Sequence, residues 1–562
     1  MEKMKSGHKI GLLLHLGIGI LVIVLLFQVA NRFRFRLDMT EEQRYSISEP
    51  TKNLLSRMDG NVLVEVYLAG ELPSNFIRFQ KSIRELLDEF SIYTPGSFDV
   101  KFVDPSQASS AKARNQFFQG LINQGLQPTR LNATEDGQTM QKIIFPGAII
   151  SYQGKELALN LLKGNRSTSP EEIINESIEG LEYEFASTLK QLTNPGKKRV
   201  GLVVGHNEPD TAQLAGLTNL VLKKYDLFRV NLPQRTTPIT GYDLLIVAKP
   251  TTAFSEREKF LLDQYVMAGG RVAFFIDMLK VNMNEASGEG TVAVPYEIGL
   301  EDLLFKYGLR INNDYVVDLN CGDFPVVAGN MGDKPQISML PWPYFPIITN
   351  YGNHPVVKGM DAVLTRFVST IDTVKAVGVK KTPIMMTSDH TKVLGVPITV
   401  SFNDLKSELL PEKFRSGPKA VGYLLEGKFT SMFKNRFPPK GFKRDEIVED
   451  GVYNKIAVIA DGDLIRNELS MEEGNPLALG VDPFTQKSYA NEVLVTNLID
   501  YLVDEDGLID TRSKEIKIRP LDKVKVKEEK TKWQLINLVL PVLVLVLFGI
   551  AKMVWRKRKN KF

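Results

Sequence analysis

The chain has 562 residues, 43% apolar and 24% charged, with a net charge of +4 and a single cysteine. That length exceeds what one hydrophobic core sustains, so several domains are expected. One thiol, Cys321, excludes an internal disulfide, CxxC redox chemistry and Cys-rich zinc sites; GxxxxGK[ST], HExxH and GxSxG are absent, which argues against a P-loop ATPase.

Residues 10–30, IGLLLHLGIGILVIVLLFQVA, are apolar apart from His15 and Gln28 and long enough to span a bilayer. Their length and the weak small-residue pattern at VAN predict an uncleaved anchor. SEPTKNLLSRM then opens like a helix, with Ser48 as cap and Pro50 near the first turn. NVLVEVYLAG reads as a strand. Phe76, Phe79, Ile83, Leu86, Leu87 and Phe90 recur at helical spacing, and FDVKFVDP is a second strand. IIFPGAIISYQGKELALNLL reads as a hairpin turning at Gln153-Gly154. The order βαβ then ββ predicts a thioredoxin-like α/β domain over 31–168, without redox cysteines. Ser169, Pro170 and Glu172 open a linking helix over 169–196, with Ile174, Ile178, Leu181, Phe185, Leu189 and Leu192 on one face.

A second α/β domain is expected over 197–510. KRVGLVVGHNEPD begins it with a buried strand, a helix follows over roughly 211–225, and FRVNL is a short strand. DLLIVA is apolar throughout, as a strand buried on both faces would be. Ser255 precedes Glu258 by three residues in a capping box, Leu261, Leu262, Tyr265 and Val266 form a helical face, and Gly269-Gly270 stop the helix before the strand RVAFFID. Two buried strands joined by a helix predict a parallel sheet with a right-handed crossover. GLEDLLFKYGLRINNDYVVD reads as helix then strand. Residues 320–350, rich in Pro and Gly, read as an insertion or long loop. Residues 380–450 give few signals, and FKNRFPPKGFKRDE within them reads as a surface loop. KIAVIADGDLIRNEL adds a strand and NEVLVTNLIDYLVDEDG a closing helix.

Residues 511–532 read as a charged stalk into a second span over 533–555, whose two tryptophans lie about 33 Å apart along a helix, close to the thickness of a hydrocarbon core. Lys3, Lys5 and Lys9 precede the first span; Lys552, Arg556, Lys557, Arg558, Lys559 and Lys561 close the chain. Positive-inside places the tails 1–9 and 556–562 in the cytoplasm and 31–532 outside, against the opposing vote of Arg32, Arg34 and Arg36. These tails carry the basic excess, so the part between them is net acidic and does not read as a nucleic-acid surface.

Ligands of open parallel sheets bind beyond the carboxyl ends of the strands. Four such ends carry Gly205-His206-Asn207-Glu208, Lys249-Pro250, Asp277 and Asp461-Gly462-Asp463. A shared rim would collect His206, Glu208, Lys249, Asp277, Asp461 and Asp463, groups able to hold a ligand or move protons. The blander expectation is that Asp and Asn after strands cap the helices that follow. No metal or cofactor is expected. Cys321, in VDLNCGDFP, lacks the sharp turn into a helix that a nucleophile elbow needs. His354 and His390 are isolated. Trp342 and Tyr344, in LPWPYFP, suit either a sugar platform or loop packing.

LDMTEEQRYSISEPTKNLL after the anchor, then GHNEPD, DLLIVAKP, FSEREKFLLDQYVMAGGRVAFFID, ADGDLIRN and a final span before a basic tail, follow in an order that resembles the GldG family of gliding-associated ABC transporter subunits. The resemblance covers nearly the whole chain. It implies a central domain similar to class I glutamine amidotransferases and to a module of an intraflagellar transport subunit, here without the cysteine elbow that glutamine hydrolysis needs. It also implies a non-enzymatic, substrate-binding-like auxiliary subunit in the bacterial inner membrane, with a periplasmic ectodomain, acting with an ABC permease and a separate cytoplasmic ATPase. It brings no catalytic residues. Two spans depart from the single tether of a binding protein and imply a fixed part of the complex. Two alternatives remain: an envelope glycan-binding scaffold using the Trp342 loop, and an amidase-like hydrolase using the rim.

Overall fold

A computed structural model describes residues 46–107, 110–135, 138–162, 170–193, 196–283, 285–286, 290–331, 334–402, 409–470, 473–513 and 523–559, with 17–19 and 21–22. It divides into two compact units, Met1–Lys514 and Glu515–Phe562. The architecture is mixed α/β with several sheets.

Ser48 caps the helix Glu49–Leu55, its Oγ accepting from the Thr51 N–H at 3.4 Å, as its position before Pro50 predicts. Strands β1 (Val62–Val66) and β2 (Phe98–Phe102) are parallel across the helix Ser74–Tyr93, which buries Phe76, Phe79, Ile83, Leu87 and Phe90. The helix Ala111–Asn123 and the hairpin of β3 (Thr129–Glu135) and β4 (Gln138–Ile144) are additions to the expected βαβ-then-ββ order. Strands β5 (Gly147–Tyr152) and β6 (Lys155–Asn160) complete a four-stranded sheet of order β2-β1-β5-β6. Gln153 and Gly154 between them have φ of 48° and 78°, the paired positive values of a two-residue hairpin turn that matches strand twist.

The linking helix, Pro170–Thr193, packs directly into the second domain rather than spanning open space. Tyr183 donates its hydroxyl to Asp500 at 2.7 Å, Lys190 pairs with Asp504 at 3.1 Å, and Glu184 pairs with Arg512 at 3.2 Å.

The second domain is built on eight strands. β7 (Arg199–Val204), β8 (Asp226–Asn231), β9 (Leu244–Ala248), β10 (Arg271–Phe275) and the strand Asp450–Ile459 are parallel in the order β8-β7-β9-β10-Asp450–Ile459. Ala420–Thr430, Val379–Met386 and Asn350–Tyr351 extend the sheet antiparallel, so it is mixed rather than parallel throughout. All of β9 is buried, as its unbroken apolar run requires. The Ser255–Glu258 capping box is formed, and the helix Glu256–Met267 returns the chain to β10.

The described residues of 320–350 are mostly strand rather than loop. Cys321–Met331 pairs with Lys334–Ile348 in a long hairpin, with register shifts between Cys321 and Asp323 and between Val327 and Gly329. Five prolines within it erase the alternation by which strands are recognised, and such bulged pairings tolerate them.

The second unit holds the helix Lys523–Lys559, so the later part of the expected stalk is already helical. Within it Glu528–Arg556, 29 residues, is long and apolar enough to cross a membrane. The span expected at 10–30 lies outside the described residues, except for 17–19 and 21–22, which are helical and exposed.

Candidate functional site

The connection from β7 leads to β8 on one side, and that from β9 leads to β10 on the other. The loops after β7 and β9 therefore flank the point where strand order reverses, the usual crevice for a ligand in such sheets. The six rim residues fall into two groups there.

His206 follows β7. Its carbonyl accepts from the N–H groups of Thr251 and Thr252 at 2.9 and 3.2 Å, fastening the β7 loop to the β9 loop. Its ring, 1% exposed, stacks on Phe254 with centroids 3.5 Å apart and planes 8° from parallel. Nε2 lies 3.4 Å from Glu258 and Nδ1 3.6 Å from Glu208. Glu208 also accepts from the N–H groups of Gly205 and His206 at 3.0 Å, which closes its own turn. Burial alone would raise the Glu208 carboxyl, but the His206 ring and these amides hold it below the ordinary carboxylate range. Burial likewise opposes, and the bonds from Ser255 and His206 outweigh, so Glu258 is held low. The spacing of Glu258 from Ser255 predicts its capping role and carries no sign of the second contact with His206.

Lys249 follows β9 with φ of 48°, and its Nζ lies 2.7 Å from Asp277 and 2.6 Å from Asp463. Asp277 also accepts from the Gly462 N–H, and a Cβ on Gly462 would meet Lys249 Cγ at 2.6 Å. Asp461 accepts three backbone N–H bonds, from Arg366 at 2.9 Å, Asp463 at 2.8 Å and Leu464 at 3.1 Å. Its Oδ1 thus holds the N–H groups that open the turn Asp463–Ile465, whose N-cap position is Gly462, a structural use close to the capping role expected after a strand. Arg466 Nε stands 3.1 Å from Asp463, and Arg366 and Arg466 share Glu468. These arginines were not among the predicted rim residues; Arg466 lies three residues after Asp463, a spacing that could have revealed it.

Burial pushes Asp277 up despite Lys249, and pushes Asp461 well up with help from Asp277 and Asp463. At Asp463 burial is outweighed by Lys249 and then Arg466, and its carboxyl falls to about 2. Asp277, Asp461 and Asp463 each bring an oxygen within 4.8 Å of the others, close enough for one cation. The Lys249 ammonium, however, already bridges two of them. The donor set fits a built-in counter-charge better than a metal.

The other candidates are held structurally. Burial and then Asp318 and Asp323 push the Cys321 thiol up to about 12, the reverse of a primed nucleophile. His354 is buried and accepts from the Val356 N–H at 3.2 Å, and burial lowers it to about 4. His390 is exposed. Trp342 is 1% exposed, packed on Phe324 and Phe402, and Tyr344 is also buried, so the two offer no surface to a sugar. A cavity of about 440 Å³ lies away from the rim, between the linking helix and the helix Asn491–Val503, lined by Tyr183, Lys224, Leu479, Tyr489 and Asp500.

Residues 197–498 match the family described as an ABC-type uncharacterized transport system, and residues 41–151 match a domain of unknown function. An uncharacterized protein of Borreliella burgdorferi is 22% identical, over 97% of this chain and 98% of its own length. The N-terminal domain of mmIFT52 aligns with 55% of the chain and 98% of its own at 13% identity, with a TM-score of 0.31, too low to carry an argument about fold. The family match takes in more than half of the residues and the whole eight-stranded sheet, and by it the chain belongs to the auxiliary family of ABC-type transport systems.

Proposed function

We propose that the protein is a membrane-anchored, non-catalytic subunit of an ABC transport assembly, held at the bacterial inner membrane by two spans with its α/β unit in the periplasm. In this reading a separate permease carries the path and a separate cytoplasmic ATPase supplies the energy. The observation that carries it is the auxiliary-family domain on the same chain as the apolar helix Glu528–Arg556. Two further features support it. The helix Glu49–Leu55, where the described chain enters its globular unit, packs on the segment Leu508–Ser513, where it leaves. Neighbouring entry and exit suit a domain tethered at both ends to one membrane. Lys249 bridges Asp277 and Asp463, and Asp461 is held by backbone N–H groups, which favours a structural over a catalytic role for these four residues. The finer reading, from the order of sequence motifs, is that the assembly serves gliding motility.

Gentle solubilisation of native membranes, capture through a tag on the C-terminal tail and identification of what comes with it tests the proposal. A polytopic permease and a P-loop ATPase are expected; recovery of the chain alone would overturn it. An amidase-like role would instead require His206→Gln to abolish function while fold and complex stay intact.

A further inference from the structure

Residues 431–449 join the strand Ala420–Thr430 to Asp450–Ile459. The latter runs parallel to β10, so this loop lies at the amino end of the sheet, opposite the rim. Its base is firmly held. Ser431 donates to Asp263 at 2.5 Å, the Met432 N–H donates to the same carboxylate at 3.0 Å, and Phe433 and Phe442 pack on Phe260 at 5.1 and 4.6 Å. Between these anchors the backbone turns outward through Asn435, with φ of 62°, and back through Gly441, with φ of 100°.

The held loop displays Phe437, which is 95% exposed. Val377, before the strand Val379–Met386, is 83% exposed and lies at the same end, because the Lys428 N–H donates to the carbonyl of its neighbour Gly378 at 3.2 Å. These are the two most exposed large apolar side chains among the described residues. Scattered apolar residues on a surface are ordinary, but a pinned loop presenting its aromatic into solvent is not what burial would select. The same loop carries Arg436, Lys440 and Lys443, all exposed and in no ion pair among the described residues, and the exposed carboxylate of Asp445. Glu446 turns back to the Lys443 N–H, and Arg444 is occupied by Glu449.

An exposed aromatic side chain on a loop with three unpaired cations matches the headgroup region of an anionic bilayer, where the ring enters the acyl boundary and the cations meet phosphate. The chain also leaves its globular unit at this end. After the helix Asn491–Val503, Glu505 pairs with Lys198 and Arg271, at the starts of β7 and β10. Between Ser513 and the helix that starts at Lys523 the connecting residues reach at most about 35 Å, which bounds how far this end can stand from a bilayer that the helix crosses.

We propose that the Phe437 loop, with Arg436, Lys440 and Lys443, is a docking surface for the anionic phospholipid face of the membrane that the protein's own C-terminal helix crosses. The inference rests on the reading of that helix as a span. It gives the amino end of the sheet a second attachment besides the covalent tether, limiting how freely the ectodomain can turn.

The test uses the full chain with Cys321→Ser and Phe437→Cys, labelled at position 437 with an environment-sensitive fluorophore and placed in nanodiscs. Discs of phosphatidylethanolamine and phosphatidylglycerol should shift the emission to the blue and allow quenching by nitroxide lipid; discs of phosphatidylcholine should do so weakly. Reversing Arg436, Lys440 and Lys443 to Glu should weaken loop–lipid contact by about fivefold or more for each charge changed. A probe as solvent-exposed in anionic discs as in detergent would overturn the proposal. A probe that is free in discs but shielded in native membranes would assign the face to a protein partner instead. Failure of the chain to enter discs at all, read separately by size-exclusion chromatography, would overturn the span on which the proposal stands.

Discussion

At the carboxyl end of the eight-stranded sheet, Lys249 bridges Asp277 and Asp463 beside the buried Asp461, all largely withdrawn from water; at the amino end, Arg436, Lys440 and Lys443 stand in solvent on the loop of an exposed aromatic. Both ends are rich in charge, and only burial separates them. A charge withdrawn from water must find a partner and hydrogen bonds within a few ångströms, whereas one left in water need find neither. The same residue types therefore mean architecture at one end and availability at the other. That contrast explains how the strand ends of this sheet can gather charged side chains at a reversal of strand order while Lys249, Asp277 and Asp463 are taken up in pairing with one another.

The contrast breaks most forcefully at Lys249. Lys249→Met leaves Asp277 and Asp463 buried without their cation, and should cost about 3–5 kcal/mol in denaturant unfolding. Adding Asp277→Asn and Asp463→Asn should recover much of that loss, because the stranded charges go with it. Gly462→Ala comes next: its φ of −79° strains no side chain, but the new Cβ must displace Lys249, and a loss of about 1–3 kcal/mol is expected.

The pH dependence sharpens the comparison further. Asp463 is held at about 2, below its unfolded value, so its contribution is present above the unfolded carboxylate range and is lost as pH falls toward 2. Asp461 is shifted the other way. Its contribution is complete below the unfolded value and is lost as pH rises through its elevated folded value. Unfolding curves across pH should thus show opposite changes in slope for Asp463→Asn and Asp461→Asn. Ser255→Ala, which removes one arm of the capping box beside His206, should cost about 1 kcal/mol. The smallest effect belongs to the amino end: Lys443→Ala should leave stability within about 0.5 kcal/mol.

The difference between the two ends also marks how far the sequence could be read. β9, the Ser255 cap, the helix after it and β10 were legible because an unbroken apolar run, a capping pair and a Gly-Gly stop agree on one answer. The rim was legible as a place, since strand ends are visible, and its six residues do gather near the reversal of strand order. Its use was not. Whether Asp461 binds a ligand or caps a turn depends on Arg366, some ninety-five positions earlier, and no local pattern carries that pairing. The hairpin Cys321–Ile348 was hidden by its prolines, and Val379–Met386 and Ala420–Thr430 by half-buried positions that follow no clean alternation. The Phe437 loop was recognised as surface, but nothing in its composition revealed that its base is fixed on Asp263 and Phe260.

The central claim is that the rim is architecture and that the protein works as an anchored subunit. The most direct measurement compares native-membrane captures of the wild type and of a variant carrying Lys249→Met, Asp277→Asn and Asp463→Asn, together with rescue of a strain lacking the gene. The account predicts the same permease and ATPase with both, and rescue by both once their folded amounts are matched. A variant that folds and assembles but fails to rescue would contradict it, and would make the rim a working site.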